Sequence, residues 1–274
     1  MQNYSISPFA FLRTIRSNRV LMLDLAKRDA LGRYKGSVFG SFWSFITPVF
    51  LLAIYTFVFS EIFKARWTMA ETDTSKTRFA IVLFAGMIVF NFFSEVVNRA
   101  PSLILNNPNF VKKVVFPLEL LSCVNLLSAL YHALISVIVL LLFQFAINFS
   151  CPWTVVLFPL ILFPFTLITL GIGWLLSAVG VYLRDIGQVI SVFVTGLMFL
   201  SPVFFPLSAI PVHWQEVARW NPLVLPIEMA RQVLVFGQIP DFISWSVYTC
   251  FAVLFAWAGY AAFQKARKGF ADVL

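Results

Sequence analysis

Residues 120–183 read LLSCVNLLSALYHALISVIVLLLFQFAINFSCPWTVVLFPLILFPFTLITLGIGWLLSAVGVYL, a run of 64 residues without Asp, Glu, Lys or Arg. A helix that crosses a membrane needs about 20 largely apolar residues, so this run is long enough for two crossings. The turn signal Asn148-Phe149-Ser150-Cys151-Pro152 divides it. The sequence therefore predicts membrane-spanning helices at 119–147 and 153–179.

Four further apolar runs flank this pair, at 39–60, 79–98, 187–206 and 242–263. The predicted fold is thus an all-α integral membrane protein with six transmembrane helices. The composition agrees, because 60% of the residues are hydrophobic and 12% are charged, against about 45–50% and about 25% in soluble domains. It excludes a soluble globular domain, a disordered chain and a nucleic-acid-binding domain. We expect a cytoplasmic segment at 1–38, a six-span domain at 39–264 and a cytoplasmic tail at 265–274.

The sequence lacks the common catalytic and metal-binding patterns. Three cysteines are too few for a disulfide framework, and two histidines give no metal-site spacing. There is no Gly-Lys dipeptide, hence no Walker A loop, and no Gly-x-Ser-x-Gly elbow. We therefore expect no cofactor or metal on this chain. His132 lies inside the third predicted span, where a polar side chain suggests a functional role, although a hydrogen bond between helices is the favoured interpretation.

The basic residues predict the orientation of the chain in the membrane. With both termini in the cytoplasm, the inside segments hold 14 Lys and Arg residues and the outside segments hold 6, among them Lys64, Arg66 and Arg78. Short cytoplasmic segments carry the excess of Lys and Arg in membrane proteins. The distribution therefore favours cytoplasmic N and C termini.

Residues 11–28 have the periodicity of an amphipathic helix lying in the cytoplasmic interface. One arc of the helical wheel is apolar and holds Phe11, Leu12, Ile15, Met22, Leu23 and Ala26. The opposite arc holds Arg13, Arg16, Ser17, Asp24, Lys27 and Arg28. Two compatible hypotheses follow: a passive anchor on anionic lipid, or a cuff that binds an anionic lipid-linked substrate or a partner.

Proline is concentrated near the C-terminal third of the chain, where 201–240 holds six of the fourteen prolines. The predicted topology puts this segment outside, and its pieces between prolines are too short to span a membrane. They are compatible with two short helices that dip into the outer leaflet and act as a gate, or with a plain external loop. The candidate gate residues are Phe204, Phe205, Trp214, Trp220 and Asn221.

Three smaller features complete the set of candidates. The segment 99–119 is predicted to be a cytoplasmic loop, either a simple connection, which residue types alone favour, or a docking site for a soluble partner. Arg184 and Asp185 are expected to form a local structural pair at a cytoplasmic turn. Five aromatic residues could stack against sugar rings along a pathway, although an interfacial position explains Trp43 and Trp174 equally well: Trp43, Tyr55, Tyr131, Trp174 and Tyr182.

Six short motifs, in this order and topology, resemble those of ABC-2-type permeases for polysaccharide export, including the O-antigen and capsular polysaccharide exporters. They are Lys27-Arg28-Asp29-Ala30-Leu31-Gly32-Arg33-Tyr34-Lys35-Gly36-Ser37 with Gly40, Trp43 and Pro48; Tyr55-Thr56-Phe57-Val58-Phe59 with Phe63-Lys64-Ala65-Arg66; Asn106-Asn107-Pro108 with Val111-Lys112-Lys113 and Phe116-Pro117-Leu118-Glu119; Val181-Tyr182-Leu183-Arg184-Asp185-Ile186; Ser201-Pro202-Val203-Phe204-Phe205-Pro206; and Asn221-Pro222. The resemblance covers essentially the whole chain.

The resemblance implies a homodimer in the bacterial inner membrane that binds two copies of a cytoplasmic ATPase, which carries the ATP and Mg. The cargo would be a polysaccharide on an undecaprenyl pyrophosphate carrier. The loop would become the ATPase-coupling element, with Ser102, Leu103, Leu105, Asn106, Asn107 and Phe110. Basic residues suited to phosphate oxygens would guide the pyrophosphate: Arg13, Arg16, Lys27, Arg28, Arg33 and Lys35. The region 207–237 would form the outer gate.

Two further classes of function stay open at this point. A permease of the same superfamily that exports teichoic acid, a drug or a small lipid would have similar spans. A membrane enzyme of glycan assembly would carry more spans or a polar loop with clustered acids and histidines, whereas the outer segment holds only Glu216, Glu228, Asp241 and one histidine.

Overall fold

The computed structural model describes residues 6–62, 76–112 and 116–273, and within these ranges the chain is helical without a β-strand. The α-helices are α1 Pro8–Ser17, α2 Arg19–Gly32, α3 Trp43–Tyr55, α4 Lys76–Arg99, α5 Pro108–Lys112, α6 Glu119–Asn148, α7 Phe158–Tyr182, α8 Ile186–Leu200, α9 Val212–Arg219, α10 Val224–Arg231, α11 Phe242–Ala266 and α12 Phe270–Val273. The all-α prediction is confirmed there. The motif at 63–66, with Lys64 and Arg66, lies outside the described residues, as does Lys113.

Five helical segments are long and apolar enough to cross a membrane, and they coincide with five of the six predicted spans: Gly40–Phe59, Thr77–Ser102, Glu119–Ile147, Trp153–Tyr182 and Phe242–Gly269. The span predicted at 187–206 differs. It contains α8, an apolar helix of 15 residues, which is about 22 Å long at 1.5 Å per residue, against a hydrocarbon core about 30 Å thick. The helix ends early because Ser201 precedes a proline and is extended, with ψ 152°.

The predicted turn between the two central spans is confirmed. α6 ends at Asn148, and Phe149 after it has a left-handed backbone with φ 50°. Pro152 then precedes the next helical segment. Pro164 inside α7 cannot donate to the carbonyl of Leu160. The indole N–H of Trp245 on α11 donates to that oxygen instead, at 3.2 Å. The helix therefore keeps its proline without an orphaned acceptor.

α4 is the centre of the fold. In its most apolar stretch 83% of the residues are buried, whereas the corresponding value is 17% for the spans that contain α3 and α11. α4 packs against α3, α6, α7, α8 and α10. α7 and α11 pack closely at Gly259, where an added Cβ would lie 2.6 Å from the carbonyl oxygen of Gly171. The less buried helices α3 and α11 present apolar side chains away from the protein, as a membrane environment requires.

The N-terminal segment is helical, but in two pieces. The single helix predicted over 11–28 breaks at Asn18, whose backbone (φ −111°, ψ 19°) separates α1 from α2. Phe11 of α1 packs edge-on against Trp174, with ring centroids 5.0 Å apart, and α2 packs against α6. Part of the predicted apolar arc is therefore buried inside the protein.

The described part of the predicted tail at 265–274, up to residue 273, is folded against the rest of the chain. Arg267 forms an ion pair with Glu119 at 2.7 Å and donates to the carbonyl of Phe116 at 3.1 Å. The side chain of Phe270 is fully buried, and α12 contacts α5 and α7. The end of the chain thereby fixes the start of α6.

Candidate functional site

Basic and hydroxyl side chains line an open cavity of about 530 Å³ where α2 leads into α3. The turns between these helices contain Gly36 and Gly40, whose φ values of 91° and 47° favour glycine. The cavity lining includes three of the predicted pyrophosphate-contact residues together with hydroxyl groups: Lys27, Arg28, Lys35, Tyr34, Ser37 and Ser41. With Asp24 also in the lining, three cations face one carboxylate, and such a surface suits a phosphate-bearing ligand.

A second cavity of about 280 Å³ joins the N-terminal segment to the loop after α4. Arg28 and Arg33 line it from α2 and its C-terminal end, and three of the predicted coupling residues line it from the loop: Leu103, Asn107 and Phe110. The structure therefore brings together two sets of candidates that are about 70 residues apart in sequence. Arg28 lines both cavities. Arg13 and Arg16 lie exposed on α1 and line neither of these two cavities.

Ion pairs hold α2 in place beside these cavities. Arg99, the last residue of α4, donates two hydrogen bonds to the Asp29 carboxylate, at 2.8 and 2.7 Å. Burial alone would raise the pKa of Asp29, but the hydrogen bonds from Arg99 and the charges of Arg99 and Arg33 lower it below its ordinary value. The carboxylate therefore stays ionised at neutral pH and joins α2 to the start of the loop.

A second ionic contact lies one turn deeper. Glu95 of α4 pairs with Arg33, and its carboxylate oxygen Oε1 lies 3.0 Å from Nδ1 of His132 on α6. The hydrogen bond between helices predicted for His132 is confirmed. Glu95 thereby connects the N-terminal segment with two transmembrane helices.

The loop after α4 is rigidly backed. A Cβ added at Gly180 of α7 would lie 2.0 Å from the carbonyl oxygen of Pro101, and Ile104 is fully buried. Asn107 donates to the Leu103 carbonyl at 2.9 Å, and Phe110 stacks on Phe116. Among the remaining predicted coupling residues, Ser102 and Asn106 are exposed and Leu105 is half-buried.

Trp174 lies buried inside the protein. It is 2% exposed, and its indole N–H donates to the Glu119 carbonyl at 3.1 Å. The ring packs between Phe11 and Tyr260. The α1 helix therefore covers Trp174 and leaves it no surface for stacking against a sugar, while the interfacial position stays a prediction.

The other predicted pathway aromatics are accessible to different degrees. Trp43 on α3 and Tyr131 on α6 are each 37% exposed, and Tyr55 at the end of α3 is half-buried beside Phe59. Tyr182 is exposed, but its hydroxyl donates to the Ala266 carbonyl at 2.8 Å. Tyr182 therefore anchors the C-terminal segment, while Trp43 and Tyr131 stay candidates for contact with a ligand.

The segment after α8 contains the predicted gate residues. Phe204 and Phe205 are half-buried, whereas Trp214 and Trp220 on and after α9 are 57% and 88% exposed. The side chain of Asn221 donates to the Ser201 hydroxyl at 2.9 Å. This bond joins the turn between α9 and α10 to the end of α8.

The local pair predicted at Arg184 and Asp185 is not formed within the described ranges. Both side chains are exposed at the turn between α7 and α8, and no ion pair joins them there. Exposed pairs gain little from contact because solvent screens the charges. These two residues therefore have no structural role as a pair.

Several charged residues of the site were missed by the sequence reasoning. Asp29, Glu95 and Arg99 were not singled out, although an acidic residue next to an apolar span is itself a signal. Glu228 and Arg231, three residues apart in α10, are a second such signal; Arg231 is fully buried. Their partners are far away in sequence, which local patterns do not reveal.

Comparison with known proteins gives the family. Residues 22–235 match the model of the ABC-2 type transporter family. The chain is 26% identical to the O-antigen export system permease protein RfbA of Myxococcus xanthus over 266 residues, which cover 95% of this chain and 98% of that protein. It is 25% identical to RfbA of Klebsiella pneumoniae, covering 93% and 95%, and 24% identical to the polysialic acid transport protein KpsM of Escherichia coli, covering 91% and 95%. The chain therefore belongs to the ABC-2 type transporter family.

Proposed function

We propose that this chain is the permease subunit of an ATP-driven exporter that moves a lipid-linked polysaccharide across the bacterial inner membrane. One observation carries the proposal: the similarity to O-antigen and polysialic acid export permeases extends over more than 90% of the chain. The similarity therefore includes the loop and the N-terminal segment that form the candidate site, as well as the spans.

The basic cavity supports a phosphate-bearing lipid carrier as the ligand. Lys27, Arg28 and Lys35 offer ammonium and guanidinium donors to phosphate oxygens. The cavity opens beside the start of α3, the first apolar span, so a lipid tail can stay in the bilayer while its headgroup binds. In this proposal the headgroup is the undecaprenyl pyrophosphate of the cargo.

The loop after α4 supports a separate ATPase as the partner. The loop packs closely on Gly180 and buries Ile104, so a movement of the ATPase would be transmitted to the transmembrane helices. Ser102 and Asn106 are exposed and available for contact with the ATPase. Two copies of the permease, each with one ATPase subunit, would form the working transporter. ATP and Mg would bind to the ATPase subunits.

The contacts of α8 and α10 support a gate at the outer end. Both termini are cytoplasmic in this proposal, which requires an even number of crossings, and α8 with the segment after it supplies the sixth. Arg231 contacts Val82, which lies about 9 Å along α4 from its first residue. α10 would therefore dip below the outer surface, with its backbone enclosed by protein.

Deleting the gene in its host and fractionating the lipid-linked glycan tests the function. Full-length polymer on the cytoplasmic side with a bare cell surface is the expected result. A normal surface polymer would contradict polysaccharide export and favour a drug or lipid exporter. Short, unpolymerised units would favour an enzyme of glycan assembly, and accumulation of a teichoic acid would change the cargo class.

A further inference from the structure

Arg231 is a fully buried arginine that binds two other parts of the chain and a carboxylate of its own helix. Its Nε donates to the Val82 carbonyl of α4 at 3.1 Å, its Nη2 to the Val203 carbonyl at 2.7 Å and its Nη1 to Glu228 at 3.0 Å. A buried guanidinium is costly unless its donors are paired and its charge is balanced. These bonds and the carboxylate supply both requirements.

The bond to Val203 matters most for the segment after α8. Val203 is fully buried and lies in a turn, outside any helix. A buried carbonyl without a donor costs about 1–3 kcal/mol. Arg231 supplies that donor, and so holds the turn and α10 together.

α4 is shaped to accept this side chain. A Cβ added at Gly86 would lie 2.6 Å from Nη2 of Arg231 and 3.1 Å from its Cζ. The guanidinium therefore lies directly over the backbone of α4, in a notch that only glycine provides. Any larger residue there would displace the group that binds Val203.

The neighbouring helix α9 has no comparable attachment in the part of the chain that the structure describes. Its residues Val212, Trp214 and Val217 are between 57% and 80% exposed, and it packs on α10 and on the short helix Leu207–Ala209. The outer segment therefore consists of a part fixed to α4 and a largely exposed part, α9.

We infer that Arg231 is a positioning residue of the outer gate, which locks α10 and the turn at Val203 to the central helix α4 through the notch at Gly86. Opening of the gate then occurs by movement of α9 about the turn at Asn221, while α10 stays fixed. Only the role of the outer segment as a gate rests on the proposed function. The lock itself is a property of the fold and is tested without transport.

Cysteine accessibility on the purified permease–ATPase complex tests the lock. In a background with the three native cysteines replaced, Val203→Cys reports on the locked turn and Trp214→Cys on α9. A membrane-impermeant maleimide should label Trp214→Cys readily and Val203→Cys slowly. Adding Arg231→Met should raise the labelling rate at Val203→Cys by about tenfold, as expected when local opening becomes about 1.4 kcal/mol easier, and leave the rate at Trp214→Cys unchanged.

A second variant covers the case in which Arg231→Met does not assemble. Gly86→Ala keeps the charge but fills the notch, and it should raise labelling at Val203→Cys in the same way. Gly196→Ala, where an added Cβ meets nothing within 4 Å, is the matched control and should have no effect. Unchanged labelling at Val203→Cys in both Arg231→Met and Gly86→Ala would overturn the lock. Raised labelling with no polysaccharide export by the parent complex would keep the lock and contradict the proposed function.

Discussion

Exchanging the charges of Asp29 and Arg99 tests whether the N-terminal segment and the coupling loop are joined. The two hydrogen bonds measure 2.8 and 2.7 Å, and the side chains are 33% exposed for Arg99 and 30% for Asp29. Two unit charges 4 Å apart attract by about 4 kcal/mol at an effective dielectric constant of about 20. Partial exposure and the cost of desolvation reduce the expected coupling energy to about 1–2 kcal/mol.

Thermal unfolding of the detergent-purified complex measures this coupling. A loss of about 1–2 kcal/mol lowers Tm by about 2–4 °C in a chain of this size. We expect Asp29→Asn and Arg99→Gln each to show such a decrease, and the double variant Asp29→Arg with Arg99→Asp to recover at least half of it. The same exchange at Arg184 and Asp185, which form no ion pair in the described structure, should change Tm by less than about 1 °C.

The pH dependence gives an independent readout of the same pair. The pKa of Asp29 is lowered in the folded state, so its stabilisation is complete above the ordinary value of 3.8 and is lost as pH falls through the folded value. The Tm difference between the parent protein and Asp29→Asn should therefore be constant at neutral pH and shrink below pH 3.8. Additive single effects, with no recovery on charge exchange, would refute the reasoning.

Three further predictions concern the cavities and the loop. Replacing Lys27, Arg28 and Lys35 of the larger cavity by Ala should lower export at least about tenfold, because the phosphate-binding charges are removed. The ATPase should still co-purify with this variant. Arg13→Ala with Arg16→Ala should have a smaller effect on export. Leu105→Glu should uncouple the ATPase, seen as basal hydrolysis that no longer responds to the lipid-linked glycan, and normal stimulation would remove the loop from the docking site. Gly180→Ala should lower Tm by an amount equivalent to about 1–3 kcal/mol, since its Cβ would overlap the Pro101 carbonyl, while Gly196→Ala should be neutral; equal Tm values for the two would contradict the close packing.

The spans were predictable from the sequence because length and apolar composition alone identify a membrane-spanning helix. Five of the predicted spans are confirmed on this basis, and so is the turn at Phe149. The end of α8 was missed, although Pro202 and Pro206 lie inside the predicted span and mark it. The break at Asn18 was missed because the helical wheel assumes a continuous periodicity through it.

The site was predictable only in part, because its contacts are non-local. The basic residues of the larger cavity were identified from their type and position. The pairing of Asp29 with Arg99 joins residues 70 positions apart, and the covering of Trp174 by Phe11 joins residues still more distant. No local pattern encodes such contacts. An aromatic residue inside an apolar span looks the same whether it faces a pathway or the protein interior.

ATP-dependent translocation in inverted inner-membrane vesicles tests the central claim most directly. Vesicles with this chain and its ATPase are loaded on their outer, cytoplasmic face with lipid-linked polysaccharide, and ATP is added. The account predicts that the polymer becomes protected from an added glycosidase, and that Lys27→Ala with Arg28→Ala and Lys35→Ala reduces this protection. Polymer that stays fully accessible while the assembled complex hydrolyses ATP would contradict it.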